Sequence, residues 1–252
     1  MSDIFYADVS YVRRKKMITK KTLTQAYPYK CEFHSHSYPV SLCSQVSPQE
    51  LSKLFIDNGY SVVALTNHFY LGYRNEFESD EAYVEFYYKA YAEFSEAAGD
   101  KLKVCLGMEI RFENESMNDY LVYGIDKTDI KKACQYLDKD IETFYKGFKN
   151  ERNVILQAHP FRDGMKEINM EFIDGIEVFN MHIHHNSRIN KAAKCAEKLN
   201  KLKLCGTDVH YPEQIGTSYV KTKYLPGNSF DLARLIKSQD MILQISDSIV
   251  IL

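Results

Sequence analysis

From Lys30 onward, short apolar runs alternate with stretches of helical periodicity, which restricts the chain to folds built from βα units. Candidate strands are residues 30–34, 61–66, 103–110, 119–125, 153–158, 175–179, 203–207, 217–222 and 241–251, with helices filling the gaps. The best-marked helix begins after Ser47, with Pro48 at the first helical position and Glu50 three residues past the cap. That is a capping box, with proline where its missing N–H costs nothing. Leu51, Leu54 and Phe55 form its apolar stripe, and Gly59 sits where a left-handed C-terminal cap is wanted. Residues 80–98 and 186–200 also read as helices. Tyr83, Phe86, Tyr87, Tyr91 and Phe94 recur at helical spacing and read as core rather than as a base-stacking platform. The length of 252 residues is close to the roughly 250 of a (β/α) barrel. With neither an internal repeat nor a low-complexity linker, one domain over residues 1–252 is expected.

Composition narrows the class. A hydrophobic fraction of 45% with 26% charged residues supports a packed core and excludes a disordered chain. Residues 1–29 read as a basic extension, carrying Arg13, Arg14, Lys15, Lys16, Lys20 and Lys21 against Asp3 and Asp8. The whole chain nevertheless has a net charge of −2, which argues against a dedicated nucleic-acid or anionic-membrane binder. No apolar run is long enough to span a membrane. The first residues lack the layout of a secretion signal. Six cysteines without a CxxC spacing suit reduced thiols, so a cytoplasmic protein is expected.

Histidines and carboxylates fall at strand ends. His34 and His36 follow the first strand as FHSHS, and residues two apart in extended chain point to one side. His68 ends the second strand in LTNHF. Glu109 lies in CLGMEI after mostly apolar residues, and a buried carboxylate must find a cation or take up a proton. His159 ends another strand in LQAHPF, and Asp208 and His210 follow KLKLC as GTDVH. In a (β/α) barrel the C-terminal strand ends gather on one face, where such barrels carry out chemistry. Mixed imidazole and carboxylate donors suit Zn, Mn or Fe ions, and these residues exceed what one ion needs.

The ordered series HSH, TNH, GMEI, AHPF and GTDVH, spanning roughly residues 30 to 215, resembles the PHP (polymerase and histidinol phosphatase) family. The resemblance implies a distorted seven-stranded (β/α) barrel, TIM-like, with its metal site at the C-terminal ends of the strands. It also implies metal-dependent phosphoester hydrolysis on two or three divalent transition-metal ions. By the same resemblance His34, His36, Glu109 and Asp208 hold a first ion. Glu109 bridges to a second ion held with His159, and His68 and His210 hold a third.

Two positions depart from the family pattern. No carboxylate or imidazole follows the HxH pair, where Cys43 is either a thiolate substitute or, as preferred from sequence, a buried structural thiol. No histidine follows Glu109 on the next strand, which leaves Asp119 as the candidate replacement. Asn67 stands where the family has an aspartate.

Phosphoester hydrolysis is the expected activity, with bridged metals lowering the pKa of a shared water. Glu109, Asp208 and His210 are the expected catalytic residues, and Arg162 is the expected phosphate ligand. Arg111 is a second candidate for that role. His182, His184 and His185 are expected to line the opening, and Glu177 to orient a ligand from behind. Substrates in the family include histidinol phosphate, nucleotides, oligonucleotides and phosphotyrosyl proteins; mild acidity leans towards a small phosphorylated molecule. An amidohydrolase-like metal enzyme and a degenerate, non-catalytic PHP scaffold are the competing readings.

Overall fold

Two six-stranded sheets carry the fold, each mixing parallel and antiparallel pairs. The computed structural model describes residues 20–251 apart from Ser116, Asp247 and Ser248. Of the expected basic extension, residues 1–19 lie outside the described residues.

Helix α1 (Lys20–Ala26) leads into β1 (Tyr29–Ser35), α2 (Pro48–Asp57) and β2 (Val62–Leu65). Strand β3 (His68–Tyr70) is followed by α3 (Leu71–Arg74), the long α4 (Asp80–Ala98), β4 (Lys103–Leu106) and β5 (Met108–Arg111). Next come β6 (Asp119–Tyr123), α5 (Lys127–Ala133), α6 (Ile141–Phe148), β7 (Val154–Gln157) and β8 (Gly175–Asn180). Then follow α7 (Ile189–Lys198), β9 (Leu202–Gly206), β10 (Ser218–Thr222), α8 (Ser229–Ser238), β11 (Met241–Ile245) and β12 (Ile249–Ile251). The sheets are ordered β12-β11-β10-β1-β2-β4 and β3-β5-β6-β7-β8-β9.

Local signals shape the helices as expected. Ser47 Oγ accepts from Glu50 N at 3.3 Å, and Glu50 Oε2 accepts from Ser47 N at 3.0 Å, completing the capping box of α2. Leu51 and Phe55 face the core, and Gly59 beyond the cap takes φ +71°. In α4, Tyr83, Tyr87 and Phe94 are buried, with Phe69 stacked on Tyr83 at 4.7 Å. Each such side chain contributes about 1.5–3 kcal/mol on burial, so the aromatic stripe is core.

Strand direction departs from a repeated βα unit. Strand β6 runs antiparallel to both β5 and β7, and β10 runs antiparallel to β1 and β11. The connection from β5 to β6, residues 112–118, is too short for the crossover that a parallel pair needs. The strand expected over 103–110 divides into β4 and β5 at Gly107, where a Cβ would stand 2.7 Å from Thr66 Cγ2. The strand expected over 241–251 divides into β11 and β12.

These breaks join the sheets. Leu65 pairs with Leu106 in one sheet and His68 with Glu109 in the other, so a parallel pair passes between sheets in unchanged register. Gly107 N donates to Leu65 O at 2.9 Å and Glu109 N to Asn67 O at 3.1 Å across the break. On the other side Ser35 and Val209 form an isolated parallel bridge, and Asp208 N donates to His34 O at 3.0 Å. Among the described residues no helix is long and apolar enough to cross a membrane.

Candidate metal centre

The sheet ends bring the motif residues together. His34 in β1 and His36 just beyond it are fully buried, with ring centroids 5.1 Å apart. His68 opens β3 opposite Glu109 in β5, His159 follows β7, and Asp208 and His210 follow β9. Asp119 is the first residue of its strand, yet it lies opposite Arg111 near the end of β5 because β6 runs backwards. His159 and Asp208 adopt φ of +28° and +61°, a left-handed backbone that costs a non-glycine residue roughly 1–3 kcal/mol.

Glu109 is the hub. Its Oε1 lies 3.1 Å from His34 Nε2 and 3.2 Å from His159 Nε2, and its Oε2 lies 2.8 Å from His68 Nδ1 and 3.4 Å from His36 Nε2. Asp208 Oδ1 lies 3.2 Å from His36 Nε2, 3.5 Å from His34 Nε2 and 3.3 Å from His210 Nδ1. All seven residues expected as ligands, His34, His36, His68, Glu109, His159, Asp208 and His210, thus meet around one buried cleft.

Only some of these close pairs are hydrogen-bonded, His159 Nε2 with Glu109 Oε1 at 3.2 Å among them. His34 Nε2, His36 Nε2, Glu109 Oε2 and Asp208 Oδ1 are buried and form no hydrogen bond. The His36 tautomer explains why. Ser41 Oγ donates its proton to Asn67 Oδ1, so it can only accept from His36 Nδ1, at 3.0 Å. His36 Nε2 then presents a lone pair towards two carboxylates. Burying acceptors against one another without a positive charge is unfavourable, and a divalent cation satisfies all of them. The donor set therefore fits metal, and several groups of three such residues offer donor atoms within 4.8 Å of one another.

Without a cation, protons carry the compensating charge. Burial opposes a charge on His34, but the carboxylates of Glu177, Asp208 and Glu109 override it and raise its pKa well above the usual range. Burial likewise opposes ionisation of Glu109, and the imidazoles of His34 and His68 override it, holding that carboxyl well below its usual range. For Asp208, His34 and Arg162 override burial in the same sense. Burial together with His210 and His68 pushes His36 well down, in keeping with its bare Nε2.

Buried partners hold these groups. Glu177 Oε1 accepts from His34 Nδ1 at 2.8 Å, and Oε2 accepts from His159 N and Asn180 Nδ2, both at 3.0 Å. Glu177 therefore lies where sequence placed it, behind a ring. Asn67 accepts from Ser37 N at 2.7 Å and so organises the loop after His36. Glu32, unforeseen from sequence, accepts from His34 N and Thr207 N through Oε1 and braces β1 against the turn that carries Asp208. Burial pushes its pKa up to about 7. A glutamate two residues before the HxH pair, on the same strand face, was its one available signal.

Several expectations change. Cys43 is exposed, not a buried structural thiol, and its Sγ lies 3.0 Å from His210 Nε2. The loop after His36 turns outward before reaching it. His182 does more than line the opening: it is buried, and it offers a donor atom within 4.8 Å of Asp208 and His210. His184 and His185 do border the cavity, of about 260 Å³, together with Tyr211, Met117 and Met165. Arg111 grips Asp119 through two 2.7 Å hydrogen bonds, and Asp119 also offers an oxygen within 4.8 Å of donor atoms of His68 and Glu109. Arg162 donates through Nη2 to Asp208 Oδ2 and Asn180 Oδ1, both at 2.7 Å, leaving Nε buried without a partner.

A mixed α/β fold with buried His, Asp and Glu clusters that could hold ions is the class the structure defines. Within it, the chain belongs to the PHP domain family, whose model matches residues 32–207. Its fold is similar to that of a two-domain protein from Bacteroides vulgatus containing a predicted PHP-like metal-dependent phosphoesterase. The identity is 17% and the TM-score 0.57, over 86% of this chain and 65% of that one. It is also similar to PsfC from Pseudomonas syringae, at 15% identity and TM-score 0.52, over 77% of this chain and 81% of that one. An amidohydrolase from Chromobacterium violaceum, with bound SO4 and no metal, shares 15% identity at TM-score 0.47, over 85% of this chain and 97% of that one. No match is found among curated proteins.

Proposed function

We propose that the protein hydrolyses the ester bond of a small phosphorylated molecule, using two or three divalent ions of the zinc, manganese or iron type. The observation that carries this reading is the bare Nε2 of His36 facing Glu109 and Asp208 in a chain of the PHP family. In this reading His34, His36, Glu109 and Asp208 hold one ion, Glu109 and His159 a second, and His68 and His210 a third. Such ions lower the pKa of water to near neutrality and offset charge developing on a phosphoryl group. The two sheets are read as halves of one distorted seven-stranded (β/α) barrel, supported by the continuous register through His68 and Glu109 and by the Ser35–Val209 bridge.

The chain's own groups supply the rest. Glu109, whose oxygens face four imidazoles, fixes their mutual spacing. Arg162 is anchored through Nη2 and lines the mouth cavity, where its guanidinium charge faces the position of a phosphate. His210 lines the mouth, where it would act as an ion ligand beside the departing oxygen, and another histidine of the opening would supply the proton in a monoester hydrolase role like that of histidinol phosphatases. The mouth cavity of about 260 Å³ suits a small substrate. Six free cysteines suit a reducing compartment, and the cytoplasm is the proposed location.

Elemental analysis and a phosphoester panel on one preparation, with and without added Mn²⁺ or Zn²⁺, test the reading. Bound metal with metal-stimulated phosphate release is expected. A folded, metal-loaded protein that opens cyclic amides but cleaves no phosphoester would overturn it.

A further inference from the structure

The mouth of the centre holds a donor that the imidazole and carboxylate chemistry does not use. His210 Nδ1 donates to Asp208 O at 2.9 Å, so in the neutral ring that a metal needs Nε2 carries the lone pair, and that atom lies 3.0 Å from Cys43 Sγ. His210 also shares a cluster with His36 and His68, each offering a donor atom within 4.8 Å of the others. His36, whose Nε2 is fully buried and forms no hydrogen bond, belongs to that cluster. His36 and His210 stack with centroids 4.3 Å apart, and His36 and His68 lie 4.4 Å apart. The Asp119 carboxylate, paired with Arg111, groups with His68 and Glu109 and not with Cys43.

We propose that Cys43, His68 and His210 form a thiolate–imidazole site that selects a thiophilic ion of the zinc class at the mouth of the centre, over manganese or magnesium. Two imidazoles and one thiolate are three protein donors, the number that would hold a zinc-class ion while leaving it a position for substrate. A soft sulfur donor favours zinc or cobalt and disfavours ions that prefer oxygen. Binding needs the thiolate, so the Cys43 proton leaves to solvent as the ion enters. The exposed loop position of Cys43 gives the ion access from solvent. The proposal rests on the metal-centred reading above and specifies the chemistry of one of its ions.

The test is Co²⁺ titration of the full chain after chelator treatment, read by absorption and by bound cobalt per chain. Wild type should show thiolate-to-cobalt charge-transfer absorption. Cys43→Ala should lose that band and one equivalent of cobalt while keeping the remainder. Its Zn²⁺ affinity at this site should fall by more than the roughly 10–100-fold that loss of an outer partner costs. Cys43→Asp should restore stoichiometry without the band and shift preference towards Mn²⁺. Cobalt bound without a thiolate band, or a band that persists in Cys43→Ala, would overturn this proposal alone. A folded protein that binds no cobalt would overturn the metal-centred reading and this proposal with it.

Discussion

Glu177 Oε1 stands 2.8 Å from His34 Nδ1, joining two buried side chains 143 positions apart. The same carboxylate takes the backbone N–H of His159 at 3.0 Å, so it sets one ring's tautomer and another residue's left-handed backbone. A carboxylate behind a ligating ring raises its basicity and fixes its orientation. Glu177→Gln keeps the volume and removes the charge. Metal affinity should fall roughly 10–100-fold, measured by chelator competition, with an unchanged circular dichroism spectrum. Unaltered affinity would leave Glu177 a purely structural role.

Glu109 touches four imidazoles, and no neighbour can replace a carboxylate that faces them all. Glu109→Ala and Asp208→Ala should each lower phosphoester turnover more than about 100-fold, beyond the loss expected for an outer partner. Metal content and thermal melting must be followed alongside. A variant that keeps both metal and wild-type turnover excludes the residue from the chemistry.

Gly206 ends β9 where no side chain fits. A Cβ there would stand 2.5 Å from His34 Cβ and 2.7 Å from Glu177 Oε1. Gly206→Ala should therefore cost about 1–3 kcal/mol through overpacking and should also displace the His34–Glu177 pair. Melting temperature and metal affinity are expected to drop together. A loss of stability with metal affinity intact would show that His34 tolerates the shift.

The metal-free and metal-loaded proteins should respond oppositely to rising pH. His34, His68 and His210 have pKa values raised above the ordinary 6.5: burial opposes the charge, and nearby carboxylates, Glu109 for His68 and Asp208 for His210, override it. A group raised on folding gives its full stabilisation below its unfolded pKa and loses it as pH climbs through the folded value. Metal-free protein should accordingly lose melting temperature as pH rises above 7. Metal binding needs neutral imidazole, so the stabilisation from added Zn²⁺ should grow over the same range. Parallel slopes with and without metal, in thermal melts from pH 6.5 to 9, would contradict this assignment of protons.

Local grammar reached far into this protein. The Ser47–Glu50 box, the buried α4 stripe and the strand ends bearing His34, His36, His159 and Asp208 are all legible because caps, periodicity and apolar runs act over a few residues. Strand β3 escaped notice because three residues carry too short a pattern. The split of residues 103–110 depends on how closely Thr66 approaches Gly107, a contact that periodicity does not encode.

Which residues could serve a metal, and in what order along the chain, follows from residue type and spacing alone. Their convergence depends on the tertiary structure. The reversal of β6 brings the first residue of a strand beside the last residue of its neighbour, so Asp119 reaches Arg111. The path of the loop after His36 exposes Cys43 and sets its sulfur against His210. The turn after β8 carries His182 inward to Asp208. These pairings are set by how sheets and loops pack, and a chain's local preferences are silent about which partners that packing brings together.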